Sequence, residues 1–423
     1  MGKRIAFISE HASPLAALGG ADAGGQNVYV GEVAKQLATM DYQIDIFTRR
    51  EDKELPEVVS FGDKIRIIHV NAGPAEDIPK ETLLQYMPAF KADMLRFMQE
   101  EQITYELIHA NFFMSAWVAM ALKRELGIPF VVTFHALGHI RRIHQGDNDQ
   151  FPKERLAIEE EAVREARVIV AECPQDREDL MTYYHAPAEK ITVIPCGVNV
   201  EELYPVNKSV ARSLLGIPYD EKVLLQLGRM VPRKGVDNVI MALAKARCRS
   251  SNVRLLIVGG DVDTAKELTR LKQLASDLKI SDKVYFLGQK SRQELKYYYT
   301  AADIFITTPW YEPFGITPLE AMACGTPVIG SKVGGIKYSV ADGHSGALVP
   351  PKDPEALARK ITTLLQSPAI LREMGNNALR RVNKLFTWEL VARDMQAVYE
   401  GIIGNNDISY PRNFRTEEES VSI

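Results

Sequence analysis

The chain has few cysteines, no long apolar run and no strong excess of either charge. Its four cysteines, Cys173, Cys196, Cys248 and Cys324, stand far apart and form no CxxC pair. That spacing offers neither a structural zinc site nor a disulfide framework, and it fits a reducing, cytoplasmic setting. No apolar stretch is long enough to span a bilayer, and the first apolar run, Arg4-Ile-Ala-Phe-Ile-Ser9, is too short for the core of a signal peptide. Lys and Arg number 51 against 55 Asp and Glu, a net charge of −4, which gives no support to nucleic-acid binding as the main task. Repeats and low-complexity tracts are missing too. What remains is an ordinary globular composition, 46% hydrophobic and 25% charged, at a length of 423 residues that favours more than one domain.

Short apolar runs alternate with amphipathic stretches. Ile5–Ile8, Ile44–Phe47, Ile65–Val70, Leu107–Ala110, Phe130–Phe134, Val168–Val170 and Ile191–Ile194 read as buried strands. Val28, Val30, Val33 and Leu37 carry helical spacing between the first two. This is βαβ grammar, and it implies a parallel sheet covered on both faces. It restarts at Lys222–Leu227 and continues through Leu255–Val258, Val284–Leu287, Ile304–Thr307 and Val328–Ile329. The reading is α/β, with two Rossmann-like domains facing each other across a cleft. They cover 1–200 and 201–386. The helix within 387–404 opens at a capping Thr387 and is expected to pack back on the N-terminal domain. The polar tail 405–423 is expected to be flexible.

The segment Glu312-Pro-Phe-Gly-Ile-Thr-Pro-Leu-Glu320 places two acids eight residues apart across a Pro/Gly loop that enters a helix. Pro318 suits the first helical turn, where its missing N–H is no loss. The backbone N–H groups of Gly315, Ile316 and Thr317 then form an anion site at a helix N-terminus. The segment thus offers donors for a phosphate and carboxylates for hydroxyls, as a nucleotide-sugar site requires, although a plain strand–loop–helix turn has the same outline. Gly228-Arg-Met-Val-Pro-Arg-Lys-Gly235 also follows a strand and precedes a helix. Arg229 and Lys234 there can face a diphosphate leaving group, or belong to a solvated basic turn. The glycine loop Gly19–Gly25 after the first strand lets a ligand approach the backbone, but its spacing is not GxGxxG, so a nicotinamide cofactor is not indicated. His135 ends an apolar strand, where α/β sheets place ligands; a hydrogen-bonded core histidine would look the same. His139, Arg141, Arg142 and His144 follow it. Asp261-Val-Asp263 has the look of a DxD metal motif, but no other metal-type cluster accompanies it.

Taken together, these elements resemble the family 4 retaining glycosyltransferases of the GT-B fold, from residue 3 to about residue 404. The glycine loop, Arg229 with Lys234, the Glu-x7-Glu segment and Gly334-Gly335 occur in the family's order. The resemblance implies that Arg229 and Lys234 hold the donor diphosphate, with Glu312 and His135 at the donor sugar. It places Glu320 at the ribose and Gly24, Gly25, Phe314, Gly315, Ile316 and Thr317 around the rest of the donor. Within the family, the opening His11-Ala-Ser-Pro-Leu and Asp22-Ala-Gly-Gly-Gln-Asn-Val-Tyr-Val30 resemble both the sucrose-phosphate synthases and the inositol-phosphate enzymes of mycothiol synthesis. Both branches use a phosphorylated acceptor. Gln26, Asn27, Lys80, Phe112, Arg141, Arg142 and Arg155 are the residues the resemblance assigns to that acceptor. Phe112 and Ala136 stand where the inositol-phosphate enzymes carry hydroxyls, and His135-Ala-Leu-Gly138 is closer to the sucrose-phosphate synthase pattern. Lys337 departs from the family, which often has an acid there.

The activity implied is transfer of a hexosyl group, glucose above all, from a nucleotide-diphosphate sugar such as UDP-glucose to a sugar phosphate, with retention; fructose 6-phosphate giving sucrose 6-phosphate is the preferred reading, and transfer of N-acetylglucosamine or glucose to inositol phosphate or another small acceptor is the alternative. No cofactor and no essential metal is implied, because the two cations would stabilise the departing diphosphate. The partners are small molecules, with no nucleic acid and no transmembrane segment; the donor base and sugar, the acceptor and the oligomeric state stay open. A nucleotide-sugar epimerase or a non-catalytic sugar-nucleotide sensor would share much of this equipment.

Overall fold

The computed structural model describes residues 2–16, 24–246, 252–260 and 264–404. Most of the glycine loop, Asp261-Val-Asp263, Cys248 and the tail 405–423 lie outside the described residues. The chain folds as two compact units. One contains the chain through Ala16, Gly25–Pro195 and the helix Trp388–Ile403; the other contains Gly24 and Cys196–Thr387.

Unit 1 is built on an eight-stranded sheet. Its strands are β1 Arg4–Ile8, β2 Gln43–Arg49, β3 Val58–Gly62, β4 Ile65–Val70, β5 Leu107–Asn111, β6 Phe130–Thr133, β7 Val168–Ala171 and β8 Ile191–Val193. They lie in the order β3-β4-β2-β1-β5-β6-β7-β8. All pairs are parallel except β3 with β4. Central strands are buried along their length, as helices on both faces require. Phe90, Phe113 and Phe130 fill the core against Met94, Met114 and Val132. The helix Trp388–Ile403 belongs to this unit because its apolar face lies on the helix Gly25–Thr39. There the Trp388 ring meets Tyr29 edge-on at 5.9 Å.

Unit 2 carries six parallel strands. They are β9 Lys222–Leu227, β10 Val253–Val258, β11 Val284–Phe286, β12 Ile304–Thr307, β13 Val328–Ser331 and β14 Gly346–Val349, in the order β11-β10-β9-β12-β13-β14. β9 and β12 are neighbours, so the loops that follow them emerge side by side. Those two loops carry Arg229–Lys234 and Glu312–Gly315. Two strands, β3 and β14, escaped the apolar-run reading. β3 is an edge strand whose residues alternate between exposed and half-buried, and β14 offers only three apolar residues beside a polar turn.

Candidate active site

In unit 2, β9 ends at Leu227 and the chain passes through a short 3₁₀ turn, Pro232–Lys234, into the helix Val236–Lys245. Gly235 joins the two at φ +67°. A Cβ there would fall 2.1 Å from the carbonyl oxygen of Thr308, so only glycine lets this turn lie against the end of β12. The consequence is a short reach from Lys234 to the next loop. Its Nζ donates to Oε2 of Glu312 at 2.5 Å, and Nη1 of Arg233 stands 3.7 Å from the same oxygen. Burial lowers the Lys234 ammonium to about 8, against the opposing pull of Glu312. For Glu312, burial alone would raise the carboxyl, but Lys234, then Arg233 and Arg229, more than offset it and hold it below the usual carboxylate range. Lys234 and Arg233 thus gather around one largely buried carboxylate at a strand end, and Arg229 adds to the positive field it feels.

Beyond Glu312 the loop turns through Gly315 at φ +94° into the helix Ile316–Ala323, whose first turn no side chain caps. Gly334 and Gly335 explain how that loop is held. A Cβ on Gly334 would lie 1.7 Å from the Glu312 carbonyl oxygen, and one on Gly335 would lie 2.6 Å from the Phe314 backbone. The N–H of Gly335 donates to the Pro313 carbonyl at 3.0 Å. The glycine pair therefore supports the Glu312–Phe314 backbone directly. Glu320 sits on the helix but faces other partners. Tyr299 donates its hydroxyl to Oε2 at 2.7 Å, and Nη1 of Arg292 donates to Oε1 at 3.1 Å. Burial, then the Glu320 charge, push the Tyr299 phenol well up, so it keeps its proton and donates. Lys337 places Nζ over the Tyr338 ring at 5.0 Å.

In unit 1 the sequence-predicted residues fall into two groups at the C-terminal ends of β5 and β6. His135, just after β6, is a non-glycine residue at φ +56°. Its ring touches Glu172 Oε1 through Nδ1 at 2.9 Å and Asn111 Oδ1 through Nε2 at 3.1 Å. Tyr29 stands edge-on to it at 4.8 Å. Gln26 joins this group by donating to the Asn111 carbonyl at 3.1 Å. The second group centres on Arg155, which is buried. Its guanidinium packs on Phe112, Phe113 and Phe151 at 4.9, 4.9 and 4.6 Å. It donates to Glu159 at 2.7 Å and to the Ala136 carbonyl, while Nη1 has no hydrogen-bond partner. Phe112 is itself strained, at φ +95°. Arg141 reaches Asp149 at 2.9 Å and shares the Phe151 ring. Arg142 is exposed, Asn27 donates to the Ser13 carbonyl at 2.9 Å, and Lys80 opens a separate 3₁₀ turn.

Several residues went unnoticed in the sequence. Asn111 ends β5 and Glu172 follows β7, both at strand ends, where functional residues of parallel sheets concentrate; that rule alone would have found them. Glu10, at the end of β1, is fully buried between His11, at 2.8 Å, and the Ser115 hydroxyl. Arg292 and Tyr299 had no sequence signal, since only the fold brings them to Glu320. Among the described residues no group of three His, Cys, Asp or Glu side chains is disposed to hold a metal ion, and no helix is long and apolar enough to cross a membrane.

Comparison with known proteins bears on both units. The pattern described as Glycosyltransferase Family 4 matches residues 23–202, and that of Glycosyl transferases group 1 matches residues 208–381. The D-inositol 3-phosphate glycosyltransferase of Corynebacterium glutamicum (strain R) is 34% identical over 411 residues, 96% of this chain and 98% of that protein. D-inositol 3-phosphate glycosyltransferase 2 of Catenulispora acidiphila is 35% identical over 405 residues, 94% of each. Among solved structures, sucrose-phosphate synthase of Thermosynechococcus elongatus aligns with a TM-score of 0.89 at 35% identity, over 96% of this chain and all of that one. Anabaena HepE, solved with UDP and glucose, aligns at TM-score 0.73 and 21% identity over 93% of this chain and 98% of that one, a likeness of fold alone.

Proposed function

This chain belongs to the group 1, family 4 glycosyltransferases of the GT-B fold, and from that premise we propose that it transfers glucose from UDP-glucose to fructose 6-phosphate, with retention, giving sucrose 6-phosphate. The cation cluster at the end of β9 carries the donor half of this reading. Lys234 and Arg233 lie against Glu312 beside the uncapped helix Ile316–Ala323. That arrangement is suited to a diphosphate bearing a sugar: positive groups and backbone N–H for the phosphates, a carboxylate for sugar hydroxyls.

In this mechanism Arg229 and Lys234 stabilise the charge that develops as the glucose–phosphate bond breaks. The departing phosphate oxygen takes the proton of the attacking acceptor hydroxyl on the same face, so configuration is kept without a protein nucleophile. A metal ion is not needed where cations hold the diphosphate. The acceptor half rests on the Phe112 wall. Phe112 covers the Arg155 guanidinium, and Glu159 and Ala136 already engage it. An acceptor gripped as in the inositol-phosphate enzymes would have to displace these contacts.

The second reading is transfer to inositol phosphate, favoured by the curated relatives, which match 94% and 96% of this chain. One assay separates the two. The pure protein is incubated with UDP-glucose and EDTA, alone, with fructose 6-phosphate, or with inositol 3-phosphate. UDP release that depends on fructose 6-phosphate, with a phosphorylated disaccharide by mass spectrometry, is the expected result. Release that depends only on inositol 3-phosphate overturns the preferred acceptor, and release abolished by EDTA overturns the metal-free reading.

A further inference from the structure

His135 sits at the centre of a strained turn. The N–H of Ala136 donates to the Phe134 carbonyl at 2.6 Å across it, and His135 is at φ +56°. A three-residue turn with positive φ at a non-glycine residue is rare and strained. Such a conformation persists only if the surroundings fix it. Here the side chain is the fixing point, held at both ring nitrogens and packed on Tyr29.

The hydrogen-bond directions say more. The Asn111 amide nitrogen donates to the carbonyls of Ile8 and His109, both at 3.3 Å. Its Oδ1 is therefore the atom facing His135, and it can only accept. Glu172 Oε1 faces the other ring nitrogen. A neutral imidazole with a bare carboxylate would set a lone pair against one of these oxygens. Both contacts are satisfied only when imidazole and carboxyl hold two protons between them. The clamp is thus a specific proton arrangement as well as a geometric one.

We infer that Glu172 is a positioning residue: through Nδ1 of His135 it holds the strained turn at the end of β6 in the conformation that receives the donor sugar. Asn111 holds the opposite nitrogen. Glu172 itself is anchored from behind, where its N–H donates to Asp176 Oδ2 at 3.2 Å. The role rests on the reading of His135 as a donor-sugar residue, so its test includes a measurement that needs no acceptor.

The full-length protein is compared with E172A, E172Q, H135A and the double variant E172A/H135A. Affinities for UDP and for UDP-glucose are measured by calorimetry, and turnover by UDP release. In E172A the affinity for UDP is expected to stay as in wild type, while the extra affinity of UDP-glucose over UDP is lost. Turnover is expected to fall on the order of 10²-fold, the effect of a misplaced reacting group. The double variant is expected to be no worse than H135A. E172Q is expected to recover most activity, because its amide can donate to Nδ1 of a neutral imidazole that still donates to Asn111. Selective ¹⁵N-histidine labelling adds a direct signature: the ring-nitrogen shifts and hydrogen-bonded protons of His135, expected to change in E172A. Wild-type turnover in E172A, or losses that add in the double variant, would overturn the inference. If E172A does not fold, E172D decides, since it withdraws the oxygen by one methylene; undiminished turnover there is equally fatal. If wild type turns over neither acceptor, the acceptor reading fails, while the UDP-glucose to UDP ratio still decides the role of Glu172.

Discussion

The two units bend the chain at the ends of parallel strands in opposite ways. Unit 2 uses glycine: Gly235, Gly315 and Gly334 have positive φ, and the last lets two backbones touch. Unit 1 forces side-chain-bearing residues into that same region, Phe112 after β5 and His135 after β6. The first solution removes bulk, so that loop backbones pack closely and Arg233 and Lys234 reach the Glu312 carboxylate. The second keeps a side chain at the bend and therefore needs clamps, supplied by Glu172, Asn111 and the aromatic stack on Arg155. Glycine makes unit 2 tolerant of strain and intolerant of added atoms; unit 1 is sensitive to loss of its hydrogen-bond partners.

The largest expected effect comes from removing the cations. R229A and K234A should each lower turnover by about 10²–10³-fold, the scale for losing one preorganised electrostatic contact, with the fold intact by circular dichroism. A well-folded R229A with wild-type turnover would remove the donor assignment. Next is Gly334→Ala. Its Cβ would collide with the Glu312 carbonyl, so the Glu312–Phe314 loop must move. Loss of donor binding and of roughly 2–3 kcal/mol of stability is expected, the strain of a non-glycine at this bend plus displacement of its support. An unchanged melting temperature together with unchanged UDP affinity would show that the close backbone contact is dispensable.

The same contrast explains what could be read in advance. The fold was legible because buried parallel strands are near-continuous apolar runs, and β9 and β12 match the expected Lys222–Leu227 and Ile304–Thr307. The loops after β9 and β12 stood out because glycine, proline and charge are concentrated over a few residues. The clamp did not. Asn111, His135 and Glu172 follow or end three different strands, so the strand-end rule picks them out singly while only the fold joins them. Arg155 illustrates the other limit: its residue type was noticed, but only the fold shows three phenylalanines closing over it.

Unit 1 should reveal its dependence on partners through Tyr399→Phe. Tyr399, on the helix Trp388–Ile403, bonds to Nδ1 of His109 at 2.6 Å, and Nε2 of His109 meets Thr133 at 2.9 Å. Burial, then His135, lower His109 to about 3, so the ring is neutral. Burial pushes the Tyr399 phenol well up, so it keeps its proton. Removing that hydroxyl leaves a buried ring nitrogen of His109 without its partner, expected to destabilise by about 1–3 kcal/mol in denaturant unfolding. No change would mean that the last helix is held by its apolar face alone. The His109 contribution also has a sign: the unfolded ring binds its proton more tightly, so stability is full above about 6.5 and is lost as pH falls towards 3.

The smallest effect sharpens the electrostatics of unit 2. Lys234 titrates at about 8 in the free protein because burial penalises its charge, and only the ammonium can hold a diphosphate. Donor kcat/KM should therefore be flat below pH 8 and fall above it, with a limiting slope of one decade per pH unit. At pH 8.5 the loss is only about fourfold, which follows from three-quarters of the lysine being neutral. Bound diphosphate stabilises the ammonium, so kcat at saturating donor should keep its plateau to higher pH than kcat/KM does. K234R, whose guanidinium does not titrate in this range, should lose the alkaline limb even if its overall rate is lower. A limb that persists in K234R belongs to another group, and a wild-type profile flat to pH 9.5 would mean that Glu312 stabilises the ammonium more strongly than burial opposes it.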